Sequence, residues 1–353
     1  MVTQMHEDAH ALRTRWEDLK RESTGRLFTR DAAAKLGTTE AALLATRIND
    51  GVTKLEGDFS RIIAEMPKVG PVTCITRNDA SVIEKTGTFE DVAFFGGNNA
   101  MGQVLGPIID LRLFMTKWHT GYAVVDETPR GTKRSLQFFD KHGEAVFKIF
   151  WTDDADEKAF DEFTRLFRAD DQTPVLDFSA PPAPKEEKIL ADDELTQFQS
   201  EWRELKDTHD FFGMLLRYGL RRIDAMIQAP EGFSVEIPVE RVEALLQAAA
   251  QSEQPIMAFV ASPGCVEIHT GPIKNVKRLD TWLNILDPGF NLHMRSDFFR
   301  RAWIVRKPTT DGVVTSIEVY DDKDEMTVQF FGARKPGIPE REDWRELVAA
   351  HSK

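Results

Sequence analysis

Three short stretches of the chain occur twice, in the same order and at the same spacing. They read Asp110-Leu-Arg-Leu-Phe114, Ser135-Leu-Gln-Phe-Phe-Asp140 and Phe147-Lys-Ile-Phe150, and their counterparts are Asn291-Leu-His-Met-Arg295, Ser316-Ile-Glu-Val-Tyr-Asp321 and Val328-Gln-Phe-Phe331. Each counterpart begins 181 residues after its partner, so about forty positions align without a gap. A fixed spacing with conserved order indicates an internal duplication.

The duplication also predicts the boundary between the two copies. Trp16-Glu-Asp-Leu-Lys20 resembles Trp202-Arg-Glu-Leu-Lys206 at a spacing of 186, so the repeat extends towards the start of each copy. Between the copies lies Ala180-Pro-Pro-Ala-Pro-Lys-Glu-Glu-Lys188, whose prolines and charges are typical of an extended linker. We therefore predict an N-terminal repeat over 1–179, a linker over 180–188 and a C-terminal repeat over 189–353.

The pattern within each copy predicts an α+β fold. A charge-rich, helical segment comes first, and alternating apolar runs separated by short turns follow it. Short connections between strands leave no room for the crossovers that parallel strands need, so each half should form a large antiparallel sheet with flanking helices. In the first copy the predicted strands are 72–76, 109–116, 121–125, 135–139 and 145–151.

Composition excludes several classes of protein. The 58 acidic and 45 basic residues give a net charge of −13, which disfavours nucleic-acid binding. With two cysteines, Cys74 and Cys265, the chain can form neither a disulfide framework nor a four-thiolate metal site. No apolar run is long enough to span a membrane, and the first residues lack a signal-peptide core, so we expect a cytoplasmic protein without membrane insertion.

His209 is the candidate metal ligand. The residues Trp202, Leu205, His209, Phe212 and Leu216 recur at helical spacing within 193–228, which predicts one helix with His209 on its apolar face. Such a histidine can be a hydrogen-bonded residue of the core or an axial ligand of haem iron. At a spacing of 186 the first copy carries Ser23 in the equivalent position, so the histidine is not part of the repeat.

Two further features suggest an anionic, partly apolar ligand. On the strand 109–116, Arg112 shares a face with Phe114. The Arg112 side chain is therefore either exposed to solvent or places its guanidinium in the lining of a pocket. The carboxylates Asp126, Asp153 and Asp154 of the first copy are replaced in the second by cations. The replacements are Lys307, Arg334 and Lys335. Haem, an apolar ring with two propionates, fits such a site, although drift of surface charge after duplication accounts for the exchange equally well.

The chain resembles the HemS/HmuS/ChuS family of haemin-trafficking and haemin-degrading proteins. Segments that carry the resemblance run in order along nearly the whole chain, and together they are highly specific. They include Ile109-Asp-Leu-Arg-Leu-Phe114, Leu205-Lys-Asp-Thr-His-Asp-Phe-Phe212, His269-Thr-Gly-Pro-Ile-Lys-Asn275, Trp282-Leu-Asn-Ile-Leu-Asp-Pro288 and Gln329-Phe-Phe-Gly-Ala-Arg-Lys-Pro-Gly337.

The resemblance implies a role for each candidate residue. It implies a tandem of α+β halves with haem b between them, His209 as the axial ligand and Arg112 as the distal, catalytic arginine. The residues matching the family's polar and propionate-contacting positions are Arg222, Lys307, Gln329 and Arg334. Two departures bear on function. Phe212 stands where some members carry a second histidine, and Ile83 stands where some carry the histidine of a possible second haem site.

The resemblance leaves two functions open. The chain is expected to receive haem from an inner-membrane importer and either deliver it to a haem oxygenase or open the porphyrin itself. No flavin or nicotinamide motif occurs, so an enzyme of this kind would take electrons from an external reductase. A duplicated scaffold that binds only a protein partner is the third interpretation.

Overall fold

The computed structural model describes residues 8–25, 27–335 and 337–352, and the chain divides into two compact units. Unit 1 takes in the chain up to Arg77 together with Lys85–Pro182 and Ser262–Glu267; unit 2 takes in Asn78–Glu84, Ala183–Ala261 and the chain from Ile268 onward. The predicted linker, 180–188, lies within a stretch from 171 to 191 that forms neither helix nor strand. Within the described ranges, no helix is long and apolar enough to cross a bilayer.

Among the described residues, the first half of the chain contains five α-helices and nine strands. The helices are α1 (Ala9–Glu22), α2 (Thr29–Leu36), α3 (Glu40–Ala45), α4 (Phe59–Glu65) and α5 (Glu157–Leu166). The strands are β1 (Val52–Leu55), β2 (Val72–Arg77), β3 (Ser81–Gly87), β4 (Val92–Phe95), β5 (Met101–Leu105), β6 (Asp110–Phe114), β7 (Thr120–Thr128), β8 (Gly131–Phe139) and β9 (Ala145–Trp151).

The second half repeats this set of elements. Its helices are α6 (Asp192–Arg203), α7 (Asp210–Tyr218), α8 (Arg222–Ile227), α9 (Glu240–Gln251) and α10 (Glu342–Ala350). Its strands are β10 (Ser234–Ile237), β11 (Pro255–Ala261), β12 (Cys265–Pro272), β13 (Val276–Leu279), β14 (Trp282–Asp287), β15 (Phe290–Arg295), β16 (Arg301–Thr309), β17 (Gly312–Tyr320) and β18 (Met326–Gly332).

Strand pairing confirms the predicted antiparallel α+β architecture and its duplication. In unit 1 the neighbouring strands run β1-β7-β8-β9-β2 and β4-β5-β6, and every pair is antiparallel. In unit 2 the corresponding orders are β10-β16-β17-β18-β11 and β13-β14-β15, also antiparallel. Each of the five strands predicted for the first copy is present.

Even an irregularity of the sheet is duplicated. The β8–β9 ladder shifts register between Phe138 and Phe139, and the β17–β18 ladder shifts between Val319 and Tyr320, at positions 181 residues apart. A bulge adds one residue to a strand and bends it locally. Its retention at equivalent positions supports the gapless alignment of these strands.

The two faces of the sheet in unit 2 belong to different cores. Ile304 and Ile317 point to a core that includes residues of α9 and α10. Trp303 and Tyr320 point to the opposite core, which includes residues of α6, α7 and α8. This separation follows from the period-2 alternation of side chains along a strand. Helices α6 to α8 therefore cover one face of the sheet.

Unit 1 shows the same division. Leu136 and Phe138 of β8 lie in a core with residues of α4 and α5. Tyr122 of β7 and Phe139 of β8 lie in a second core with residues of α1, α2 and α3. Each unit thus buries both faces of its sheet.

The prediction of one helix over 193–228 is wrong. The segment contains α6, α7 and α8, and the turn between α6 and α7 covers residues 204–209. Trp202 anchors the end of α6 because its indole N–H donates to the Arg306 carbonyl at 3.0 Å and its ring lies 4.6 Å from that of Phe211. The helical spacing continued through the break, so the pattern alone could not reveal it.

Candidate functional site

His209 lies at the start of α7, not on a buried helix face. Its side chain is 88% exposed, whereas Trp202 and Leu205, which the helical pattern had placed beside it, are buried. The break in the helix separates these residues. Of the two interpretations of the pattern, a histidine inside the core is therefore wrong.

The structure also changes the comparison between the copies. Helices α2 and α7 both end at a glycine in the left-handed conformation, Gly37 and Gly219, which lie 182 residues apart. At this spacing the position equivalent to His209 is Leu27, and not Ser23. The histidine belongs to the second copy alone on either alignment.

Asp207 fixes the orientation of the His209 ring. One carboxylate oxygen, Oδ1, accepts from the backbone N–H of His209 at 2.8 Å and from its ring Nδ1–H at 2.6 Å. The backbone hydrogen bond to His209, together with its ring, holds the pKa of Asp207 below its usual value, and Arg334 acts in the same direction. With Nδ1 donating, the lone pair of Nε2 is available to a metal, an arrangement common among histidine ligands.

An apolar stripe lies beside His209 on the exposed side of α7. Phe212 and Leu216, three and seven residues further on, are 64% and 56% exposed. Gly213, between them, would place a Cβ in open space, with only the Arg217 Nη1 within 4 Å, at 3.9 Å. The opposite stripe of α7 is buried in the core that contains Trp202. Its members are Phe211, Met214, Leu215 and Tyr218.

This surface fits the axial side of haem. An apolar surface suits a porphyrin ring and an imidazole nitrogen suits its iron, and both occur here within two turns of helix. Exposed large apolar residues next to an oriented histidine are also difficult to explain by folding alone. Among the described residues, no cluster of three or more histidine, cysteine or acidic side chains is suited to holding a bare metal ion.

Arg222 and Lys307 meet at a buried carboxylate that the sequence analysis did not single out. Glu318 on β17 accepts two hydrogen bonds from the Arg222 guanidinium, both 2.6 Å, and one from Lys307 Nζ at 3.1 Å. The hydroxyls of Ser316 and Tyr320 donate to the same carboxylate at 3.2 and 2.8 Å. With two cations and one anion, this Glu318 cluster carries one net positive charge.

Burial and charge compete within the Glu318 cluster. Burial would raise the pKa of Glu318, but Arg222 and Lys307 hold it well below its usual value. Burial would lower the pKa of Arg222, but the charge and hydrogen bonds of Glu318 raise it. For Lys307, burial prevails and lowers the pKa to about 8, although Glu318 opposes the change. The ammonium is therefore the member of the cluster most easily neutralised.

The cluster lies next to α7 and Gln329. The ring of Phe211, on the buried side of α7, is 4.7 Å from Lys307 Nζ and 5.3 Å from the Arg222 guanidinium carbon. Gln329 stands directly across the β17–β18 ladder from Glu318. Three of the predicted residues, Arg222, Lys307 and Gln329, are thus close together in unit 2.

Arg334 belongs with His209 rather than with the Glu318 cluster. Its guanidinium lies 3.6 Å from the carboxylate of Asp311, and its charge lowers the pKa of Asp207. Arg334 is therefore connected electrostatically to the residue that orients the histidine. Lys307, by contrast, is a buried residue within β16.

Arg112 belongs to unit 1 and has its own carboxylate partner. Along β6, Leu111 and Leu113 are buried while Asp110, Arg112 and Phe114 are half-buried, as the predicted alternation requires. The guanidinium of Arg112 pairs with Asp110 and donates to the Leu111 carbonyl at 3.1 Å. Burial raises the pKa of Asp110, while Arg112 and Lys85 act to lower it.

Three features of the site were not anticipated from the sequence, namely Asp207, Gly213 and Glu318. The role of Asp207 could have been predicted from the sequence, because in an Asp-x-His motif the carboxylate can reach the backbone and ring of the histidine two residues further on. Gly213 could also have been noticed, because a glycine inside an apolar helical stretch often has a packing or functional reason. Glu318 gave no such signal, since its two cationic partners, Arg222 and Lys307, lie 96 and 11 positions away in the chain.

Comparison with known proteins identifies relatives over nearly the whole chain. The family model for the haemin-degrading HemS/ChuX domain matches residues 37–167 and 219–351. The hemin transport protein HmuS of Yersinia pestis is 34% identical over 331 residues, covering 94% of each chain.

Solved structures agree with this assignment. The structure of holo-PhuS, a heme-binding protein from Pseudomonas aeruginosa, superposes with a TM-score of 0.92 at 40% identity, covering 97% of this chain and 98% of that one. The structure of ChuS, an E. coli heme oxygenase, gives 0.87 at 34% identity, covering 97% and 99%.

The pKa of Lys307 leads to a testable expectation. Its value of about 8 in the folded chain, against 10.5 for an ordinary lysine, means that the folded state binds this proton less tightly than the unfolded state. The Lys307 contribution to the free energy of unfolding should therefore increase between pH 8 and pH 10.5 and be constant below pH 8. NMR titration of lysine side chains, with Lys307→Met to assign the signal, measures it. A Lys307 signal that titrates above pH 10 would contradict the expectation.

Proposed function

Because the chain belongs to the haemin-degrading HemS/ChuX family, we propose that it binds haem in iron acquisition, with His209 as the axial ligand. The observation that carries the proposal is the exposed His209 ring, which Asp207 orients through Nδ1. The ring lies beside the exposed side chains of Phe212 and Leu216. The cytoplasm is the proposed compartment, and an inner-membrane haem importer is the proposed source of the ligand.

Each part of the proposed site has a distinct task. Haem supplies, when bound, an iron with an exchangeable sixth position and access to redox chemistry. Asp207 keeps the proton of His209 on Nδ1, so that Nε2 is free to coordinate. Phe212 and Leu216 offer apolar area to the porphyrin face, and such contacts stabilise a bound ligand by removing its surface from water.

The cations of unit 2 are proposed to attract the propionates. The Glu318 cluster keeps one net positive charge after its internal pairing, and Arg334 lies 3.6 Å from the Asp311 carboxylate. Charge-assisted hydrogen bonds from such groups to a carboxylate contribute about 0.5–2 kcal/mol each. Gln329, across from Glu318, is proposed as a polar neighbour of the same ligand.

Haem degradation is a second candidate function. It is favoured by Arg112, whose side chain is 37% exposed and whose guanidinium N–H groups can donate to an oxygen-containing ligand. Its placement on the distal side of haem remains a prediction from the resemblance. A degrading enzyme would use an external reductase as electron donor, whereas a carrier would pass haem to a separate oxygenase.

One experiment separates the two functions. The haem-loaded protein is mixed with a reductant and oxygen in the presence of catalase, which removes free peroxide. Loss of the Soret band with release of iron and a bilin identifies an enzyme. A Soret band that persists, followed by transfer to an added haem oxygenase, identifies a carrier.

We expect His209→Ala to weaken haem binding at least tenfold and to change the Soret spectrum, because it removes the coordinating nitrogen. Its side chain is 88% exposed, so the free energy of unfolding should change by less than about 0.5 kcal/mol. Titration of the apoprotein with haemin, followed by absorbance, measures the affinity. His119→Ala, at an exposed histidine of unit 1, is the control. Unchanged affinity and spectrum in His209→Ala would remove His209 from the site, and no Soret band in the wild type would contradict haem binding itself.

The propionate assignment is tested with haem dimethyl ester, which lacks the two charges. The ester should bind the wild type more weakly than haem does, and Arg334→Ala and Lys307→Met should weaken the binding of haem but hardly that of the ester. Lys277→Met, at an exposed position on β13, serves as the control for loss of a positive charge. Equal losses for haem and ester would show that Lys307 and Arg334 act through folding instead.

A further inference from the structure

We propose that Gly213 determines how closely a flat ligand approaches His209, and that it is a glycine for the sake of the ligand and at a cost to the stability of α7. The inference rests on the proposed haem site.

Among the described residues, no close contact and no unusual backbone conformation requires glycine at this position. Gly213 lies inside α7 with a helical backbone that any residue adopts, unlike Gly219 at the helix end, whose φ is +65°. A Cβ built on Gly213 would meet only the Arg217 Nη1, at 3.9 Å, which is ordinary van der Waals contact. Glycine in a helix interior is nevertheless less favourable than alanine, because the flexible backbone loses more entropy on folding.

The position of Gly213 relative to His209 explains why a side chain would interfere. Residues four apart in a helix lie on the same face, and helical side chains lean towards the N-terminus of the helix. A side chain at 213 would therefore project over the turn that carries the His209 ring. The same face is occupied by side chains at 212, 216 and 217, so Gly213 is the gap in it.

Arg217, at the C-terminal edge of this gap, is hydrogen-bonded to α6. The guanidinium of Arg217 donates to a Glu201 carboxylate oxygen on α6 at 2.8 Å, and the Tyr218 hydroxyl donates to the other oxygen of the same carboxylate at 2.8 Å. This contact ties Nη2 of Arg217 to α6, while Nη1 borders the gap, 3.9 Å from where a Gly213 Cβ would lie. The surface of α7 from His209 to Arg217 is therefore apolar in its middle and lacks a side chain at its centre.

A macrocyclic ligand makes such a gap useful. If Nε2 of His209 held the iron, a ring system wider than an imidazole would extend over the neighbours of the histidine. A side chain in that space would force the ligand or the histidine to shift, as overpacking does in a core. A small metal complex or reagent that reaches only Nε2 would not meet this obstacle.

The proposal predicts that a side chain at position 213 stabilises the apoprotein but weakens its binding of haemin. Gly213→Ala and Gly213→Leu should raise the melting temperature of the apoprotein by about 2–4 °C, because both residues favour helix. They should weaken haemin binding in order of size, by about tenfold for alanine and a hundredfold for leucine. Differential scanning fluorimetry of the apoprotein and absorbance titration with haemin measure the two quantities.

Two controls separate this effect from damage to His209. In the Gly213→Ala apoprotein, diethyl pyrocarbonate should modify His209 at the wild-type rate, because no atom of its ring lies within 4 Å of the added Cβ. Gly213→Ala should weaken haemin binding much less in the His209→Ala variant than in the wild type. The reason is that both residues act on the same bound geometry of the ligand, so their effects should not add.

Three results would overturn the proposal. Wild-type haemin affinity in both variants would show that the gap is not used, and a lower melting temperature would show that the fold itself needs glycine. Slower modification of His209 in Gly213→Ala would assign the effect to the histidine. Failure of the proposed haem site is distinguishable from all of these, because His209→Ala would then bind haemin as the wild type does.

Discussion

The carboxylate of Glu318 joins the helices of unit 2 to its sheet. Arg222 reaches it from α8, Lys307 from β16 and Tyr320 from its own strand, and Phe211 of α7 lies against the two cations. Removing one partner of a buried ion pair leaves an uncompensated charge and costs about 3–5 kcal/mol. The orientation of α7, and with it the side of α7 that carries His209, therefore depends on this network.

The first copy also places one buried carboxylate between two cations, but there the helix residue supplies the opposite sign of charge. Glu40, the first residue of α3, accepts from Arg77 and Lys148, and these cations hold its pKa at about 2 against the effect of burial. At the 182-residue spacing set by Gly37 and Gly219, the position equivalent to Glu40 is Arg222. In unit 1 the helix thus supplies the carboxylate, and in unit 2 it supplies the cation. A helix that packs on a sheet through a buried ion pair can exchange the signs provided that both partners change.

Helix α7 has two apolar stripes, and only one of them is needed for packing. The stripe of Phe211, Met214 and Leu215 fills the core, whereas Phe212 and Leu216 remain exposed beside His209. A helix that is apolar on more than one side exceeds what a surface position requires. This excess supports the proposed ligand surface, beside which Asp207 gives His209 a defined orientation.

The sequence by itself determined the duplication, the antiparallel strands and the family, because side-chain alternation and repeated motifs are local patterns that survive without knowledge of packing. It also identified His209 and the cations of the second copy as residues to examine. Only the tertiary structure decided that the helix over 193–228 is broken after α6, because helical spacing continues across the break. It also decided that His209 lies outside the core, because either apolar stripe of α7 could have faced the sheet. The choice between them rests on contacts between residues far apart in the chain, from Trp202 to Arg306 and from Arg222 to Glu318, which no local pattern encodes.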